Sequence, residues 1–360
     1  MRVISVLIIT LVLLTGTQLN GATYDIPHNG ISDHSSSAIT GSIAWYFATY
    51  PSSGNVFNLT SNADYYISQP LTMPAGVTLN DSAGNARIVA DDGLNDNVMI
   101  FFNNNCTITN LELFANRKAR FCLHGNGKSG LWLENCTLHQ TKNDYTSGDP
   151  SPHLIYMPNN ANSAIVNNLL RRAGCDPKLN GANWGGEASL IYATFNNILA
   201  LNDNDAAYAL AAGFQIFGSA NVGITGNIIQ HTGLNWDYLA DPSGHVADGI
   251  TSYHSPGGGG PYTARSNTIR YYRNHGIHLA GDTVKIENNN IYSGWHCAIY
   301  LGDQKSPHEC SVNCRITGNY LKNGSQPTTN ECIHLNYVDR ATLTISGNTG
   351  DGTIYWGPDC

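Results

Sequence analysis

Asp248 and His275 each stand just before a glycine, and each opens a short apolar segment, DGIT and HGIH. If these segments are neighbouring strands, their backbones lie roughly 5 Å apart. A carboxylate beside an imidazole is then an acid–base pair. His278 is a second imidazole on the same segment, and Lys178 is an alternative base. Asp203 and Asp205, in NDND, are carboxylates that could join Asp248 in a two-carboxylate hydrolytic site. As oxygen donors, the same two are the candidates for Ca²⁺. Asp and Asn also serve turns routinely, because their short side chains bond nearby backbone. Three cations (Arg171, Arg172, Arg273), five rings (Trp184, Trp236, Tyr238, Tyr253, Tyr300) and His245 are the candidates for holding a substrate. His296, Cys297, His308, Cys310 and Cys314 have only loose zinc-type spacing. Cys310 and Cys314 are close enough for a local disulfide.

These residues sit on an internal repeat. VGITGNII from Val222, VKIENNNI from Val284, CRITGNYL from Cys314 and AIVNNLL from Ala164 share the pattern apolar-x-apolar-x-x-Asn-x-apolar. LWLENCTL from Leu131 and LTISGNT from Leu343 follow it, with weaker copies at Ile191 and Tyr262. Period-2 alternation makes each unit two short strands, with the Asn at the bend between them. A third strand follows after a variable loop: GFQIF, GITSY, GIHLA, AIYLG and CIHLN, from Gly213, Gly249, Gly276, Ala298 and Cys332. A period of about 22–40 residues lies in the solenoid range. Three strands per repeat predict three parallel sheets, stacked coil on coil, with the turn Asn residues in a hydrogen-bonded ladder. The outward line of the third sheet is then Gln215, Thr251, His278, Tyr300 and His334, and Asp248, His275, Cys297 and Glu331 form a second line. The long segments Arg171–Ala188, Leu201–Ala212 and His231–Asp248 are expected as loops walling a groove across the central coils.

This pattern resembles the right-handed parallel β-helix of the pectate-lyase-like superfamily, over nearly the whole chain. The segment YYISQPLTMPAGVTLN from Tyr65 looks like the lead-in of such proteins. The resemblance implies an all-β, single-domain, three-sheet solenoid of about nine or more coils, and a groove that takes a polysaccharide. A lyase on uronates needs a base for the C5 proton and a cation or Ca²⁺ to neutralise the carboxylate. The gathering of Arg171, Arg172, Lys178 and Arg273 favours that chemistry and an acidic glycan. Hydrolysis on the same groove is the alternative, and a non-catalytic adhesin or self-assembling surface protein is a third. The Tyr-Gly-Phe-Asp-Pro-His motif of alginate epimerases and the Arg-Ile-Lys of polygalacturonases are missing. No catalytic residue therefore carries over from a named enzyme family.

Composition agrees with a turn-rich solenoid. Only 12% of the 360 residues are charged, about half the ordinary share, while 42 are Asn and 37 Gly. The acidic balance, 18 Lys and Arg against 26 Asp and Glu, argues against a nucleic-acid partner. Arg2, the apolar run Val3–Leu14 and the small pair Gly21-Ala22 predict a secretory signal peptide over 1–22. The β-helix domain is expected over 23–360, with 23–100 as N-terminal cap and first coils, and no later stretch is long enough to span a membrane. Export permits disulfides among the nine Cys.

Overall fold

The computed structural model describes residues 21–95, 97–142, 152–174, 189–193, 198–219, 221–233, 247–252, 259–302, 310–323 and 330–360. The chain winds through three parallel sheets of 12, 11 and 11 strands. A coil contributes one strand to each sheet, for example Asn221–Thr225, Ile228–Thr232 and Ile250–Ser252 in the first, second and third sheets. Each strand pairs with its counterparts one coil before and one coil after, as Tyr262–Arg265 does with Asn221–Thr225 and Val284–Glu287. Alternation sends Val222, Ile224, Ile229, Ile269 and Ile291 into a continuous core. At about 1.5–3 kcal/mol per buried aliphatic side chain, this stack supplies the main cohesion between coils. At the N-terminal end the helix Ile43–Thr49, capped by the Ser42 hydroxyl, buries Ile43 and Phe47 against that core. No helix of the described residues is long and apolar enough to cross a membrane.

The bend between first and second sheets is a two-residue device. Its first residue takes positive φ at Asn135, Asn167, Asp203, Ser266 and Asn288, and glycine fills the same place at Gly226, Gly318 and Gly347. Asn and Asp tolerate this left-handed conformation better than other non-glycine residues. The second residue is the ladder: Asn168, Asn204, Asn227, Asn267, Asn289, Asn319 and Asn348. From Asn168 to Asn319, each backbone N–H and each Nδ2 donates to the Oδ1 of the next ladder Asn at 2.8–3.0 Å. Cys136 holds this place in the coil before Asn168, and its N–H donates to Asn168 Oδ1.

Three expectations are corrected here. The weak copy at Ile191 is out of register, because Ile191–Tyr192 belongs to the third sheet and the next coil's first-sheet strand is Ile198–Asn202. Leu201–Ala212 is accordingly no loop, since Asp205–Ala209 is a second-sheet strand. The disulfide joins Cys310 to Cys360 at a Cα separation of 5.9 Å, leaving Cys314 a buried thiol. Cys314 belongs to the buried core with Ile316, its Sγ against the Val312 and Gly281 carbonyls.

Candidate active site on the third sheet

Register aligns Gln215, Thr251, His278, Tyr300 and His334 side by side, as the alternation predicts. The same line runs back through Tyr192, Tyr156, His124 and Phe101 and forward to Tyr355. Its rings stack coil on coil: Tyr156–Tyr192 at 5.2 Å and Tyr300–His334 at 4.4 Å between centroids. The expectation of an exposed groove floor fails in the centre, where Gln215, Thr251 and His278 are all buried.

Asp248 and His275 meet in the second line. His275 Nδ1 lies 3.1 Å from Asp248 Oδ1, and the His275 backbone N–H donates to the same oxygen at 2.9 Å. His278 Nδ1 approaches the other carboxylate oxygen at 3.6 Å, while its Nε2 lies 3.3 Å from Gly302 O. All three side chains are 1% exposed. The rings of His296 and Tyr300 pack on His275 at 5.0 and 4.9 Å. Burial raises the proton affinity of the Asp248 carboxyl, but the His275 and His278 imidazoles outweigh it and hold the group below the usual carboxylate range. Burial pushes His275 down to about 3, against the opposing pull of Asp248. Near neutral pH the pair is therefore a carboxylate accepting from a neutral imidazole. That hydrogen bond fixes the proton on Nδ1 and leaves a lone pair on Nε2, which has no hydrogen-bond partner among the described residues.

Asp248, His275 and His278 each offer one ligand atom within 4.8 Å of the others, as do His275, His296 and Cys297. Nitrogen and sulfur donors are a transition-metal set rather than a calcium set. The calcium expectation does not fit Asp203 and Asp205. Asp203 occupies the left-handed bend between first and second sheets, its carboxylate beside Gly226. Asp205 opens a second-sheet strand, and its Oδ2 accepts from Arg171 Nη2 at 2.6 Å. Neither belongs to the third-sheet face, so the Asp203/Asp205/Asp248 hydrolytic set is not brought together.

Arg171 and Arg172 lie on the second-sheet strand Leu169–Ala173 instead of a loop. Arg273 stands two residues before His275, its guanidinium 4.7 Å from the Trp295 ring centroid. Lys178, Trp184, Trp236, Tyr238, His245 and Tyr253 lie outside the described residues, as does His308. Sequence reasoning missed the packing of His296 on His275. It also missed a short polar chain toward the N-terminal coils, in which the Ser189 hydroxyl bonds Gln215 Oε1 and the Ser189 N–H donates to His153 Nδ1. Of these, only Gln215 was placed on a third strand by the sequence, and its burial was not legible there.

No protein-family model matches the chain, and no curated protein matches it in sequence. Solved structures do match. The Dettilon tailspike protein superposes with a TM-score of 0.58 at 14% identity, over 92% of this chain and 68% of that one. The A-module of a mannuronan C-5 epimerase from Azotobacter vinelandii gives 0.56 at 13%, over 93% and 97%. A rhamnogalacturonan lyase gives 0.53 at 14%, over 91% and 88%. At these identities the likeness is one of fold, and the chain has the parallel β-helix architecture that a tailspike, an epimerase and a lyase share.

Proposed function

We propose that the chain is a secreted carbohydrate-active enzyme that cleaves an acidic polysaccharide by β-elimination on its third-sheet face. The observation that carries this reading is the Asp248–His275 contact, with Nδ1 held at 3.1 Å and Nε2 left as the acceptor. In the reaction His275 Nε2 takes the C5 proton of a uronate, the C5–H electron pair forms the C4–C5 double bond, and the C4–O bond breaks. The leaving oxygen takes a proton from water. Asp248 fixes the imidazole's tautomer and stabilises the imidazolium that forms. An isolated buried His275 is a weak base, but an arriving uronate carboxylate raises its proton affinity. Arg273 is the described cation nearest in sequence to His275 and is assigned to that carboxylate.

Hydrolysis is less well supported. The carboxylates on the two third-sheet lines are Asp248 and Glu331, three coils apart, or roughly 14 Å at the inter-strand spacing. Paired glycosidase carboxyls stand about 5–9.5 Å apart. The deciding experiment incubates the purified protein with a panel of uronate polymers and reads both unsaturated-sugar absorbance and new reducing ends. Unsaturated ends that vanish with His275→Gln are expected. Reducing ends without unsaturation would replace elimination with hydrolysis, and neither signal would overturn the enzymatic reading.

A further inference from the structure

The second sheet carries a feature that the proposed reaction does not use. Near the end of its strands, one residue per coil takes positive φ: Gln140, Arg172, Tyr208, His231, Tyr271 and Ser293, all between 54° and 65°. Register puts them in one column, because their neighbours pair directly, as Arg171 with Ala207, Gln230 with Arg270 and Arg270 with Tyr292. A bulky residue in this conformation is strained, and a repeated bulge of this kind re-aims side chains. Here it turns rings outward. Tyr208 and His231 stack at 4.9 Å with planes 4° apart, and His231 and Tyr271 at 4.8 Å and 16°.

The ring stack stops at Ser293. The next strand, Tyr320–Asn323, has no residue at the bulge position: Tyr292 pairs with Lys322 and Gly294 with Asn323, so the register shifts across Ser293. Beside this break lies an open cavity of about 1000 Å³. Tyr271, Tyr292, Trp295 and Tyr320 line it, together with Lys322 and Asp351. Tyr271 and Tyr320 are 46% and 44% exposed and present their rings to solvent. Gly294 in its floor packs directly on the buried Tyr272 ring, which leaves no room for a Cβ.

From this geometry we infer that the notch at Ser293 is a non-catalytic carbohydrate-binding site on the second sheet, meeting the third-sheet site only through Trp295, which Arg273 overlies. Flat aromatic surfaces take the apolar faces of sugar rings, while a lysine ammonium, a carboxylate and side-chain amides take the hydroxyls. The notch runs across four successive second-sheet strands, roughly 14 Å at the inter-strand spacing, a length that takes a short segment of one glycan chain. Its role is to hold polymer against the molecule, and it does not depend on the cleavage chemistry proposed above.

The test is affinity electrophoresis of the full chain in gels containing polygalacturonate, alginate or xylan, with two variants. Tyr271→Asn removes the ring but keeps a residue that tolerates positive φ. Ser293→Tyr extends the stack into the notch and obstructs it. Retardation of the parent chain by at least one polymer is expected, weakened about fivefold in each variant, the scale of one aromatic contact. Ser293→Tyr should keep the parent's circular dichroism and a cooperative melt, which separates blocking from misfolding. No retardation by any of the three polymers, or retardation unchanged in either variant, overturns the site. Retardation of the parent chain, weakened in both variants, with no cleavage of any polymer would instead overturn only the third-sheet reading.

Discussion

His275 sits one coil after Asp248 and bonds it twice, through the ring Nδ1 at 3.1 Å and the backbone N–H at 2.9 Å, both to Oδ1. Side-chain and main-chain donors converge on one oxygen because the parallel register sets the two residues side by side at the start of adjacent third-sheet strands. The imidazole cannot turn without losing this contact.

Asp248→Asn tests whether the contact orients a base. An amide can offer its NH₂ to the ring and stabilise the wrong tautomer, so turnover should fall by about 10²–10⁴-fold with a much smaller change in KM. Steady-state kinetics on the polymer found active, with circular dichroism as the folding control, would decide it. A drop confined to KM would mean that Asp248 holds substrate instead.

The Asn ladder is predicted to be worth more in the middle than at its end. Asn227→Ala removes the Nδ2 donor to Asn267 Oδ1 and Leu201 O, and the Oδ1 acceptor used by the Asn204 N–H and Nδ2, all in a buried setting. A loss of about 3 kcal/mol is expected, from lost bonds and an unpaired buried N–H. Asn348→Ala, at the half-buried last position, should cost less than half as much. Urea unfolding of both variants makes the comparison.

Acid should destabilise the fold through His153. This ring is fully buried, which pushes its proton affinity down to about 3, and its Nδ1 lone pair accepts the Ser189 N–H. The unfolded chain binds a proton near pH 6.5 while the folded chain does not. Stability is therefore fully present above that pH and lost as pH falls toward 3, at about 1.4 kcal/mol per unit for this one group. His153→Asn should flatten the acid limb of the melting temperature against pH; an unchanged limb would assign it to other groups.

The Cys310–Cys360 bond closes a loop of 50 residues. On the chain-entropy account it contributes about 4 kcal/mol. Reductant should lower the melting temperature of the parent chain and leave Cys360→Ser unaffected. Equal shifts in both would point to a second bridge.

Much of this molecule was legible in one dimension. The spacing of Ile224, Asn227 and Ile229 recurs because each coil must bury alternate residues and turn at the same place, so periodicity implied three sheets and the Asn ladder. The line from Gln215 to His334 and the pairing of Asp248 with His275 followed from the same register. Asp203 misled, since its neighbour Asn204 is the ladder residue and the weak copy at Ile191 concealed that; an acid at a left-handed bend looks like chemistry until the bend is seen. Arg171 misled because its partner Asp205 is 34 residues away. Cys310 could not be matched to Cys360 from spacing, because the last coil brings the chain end back beside it. Burial of the His275 site and the outward rings at Tyr208, His231 and Tyr271 were equally hidden. A positive φ leaves no period in a sequence, and solvent exposure depends on what chain from other coils lies over a residue.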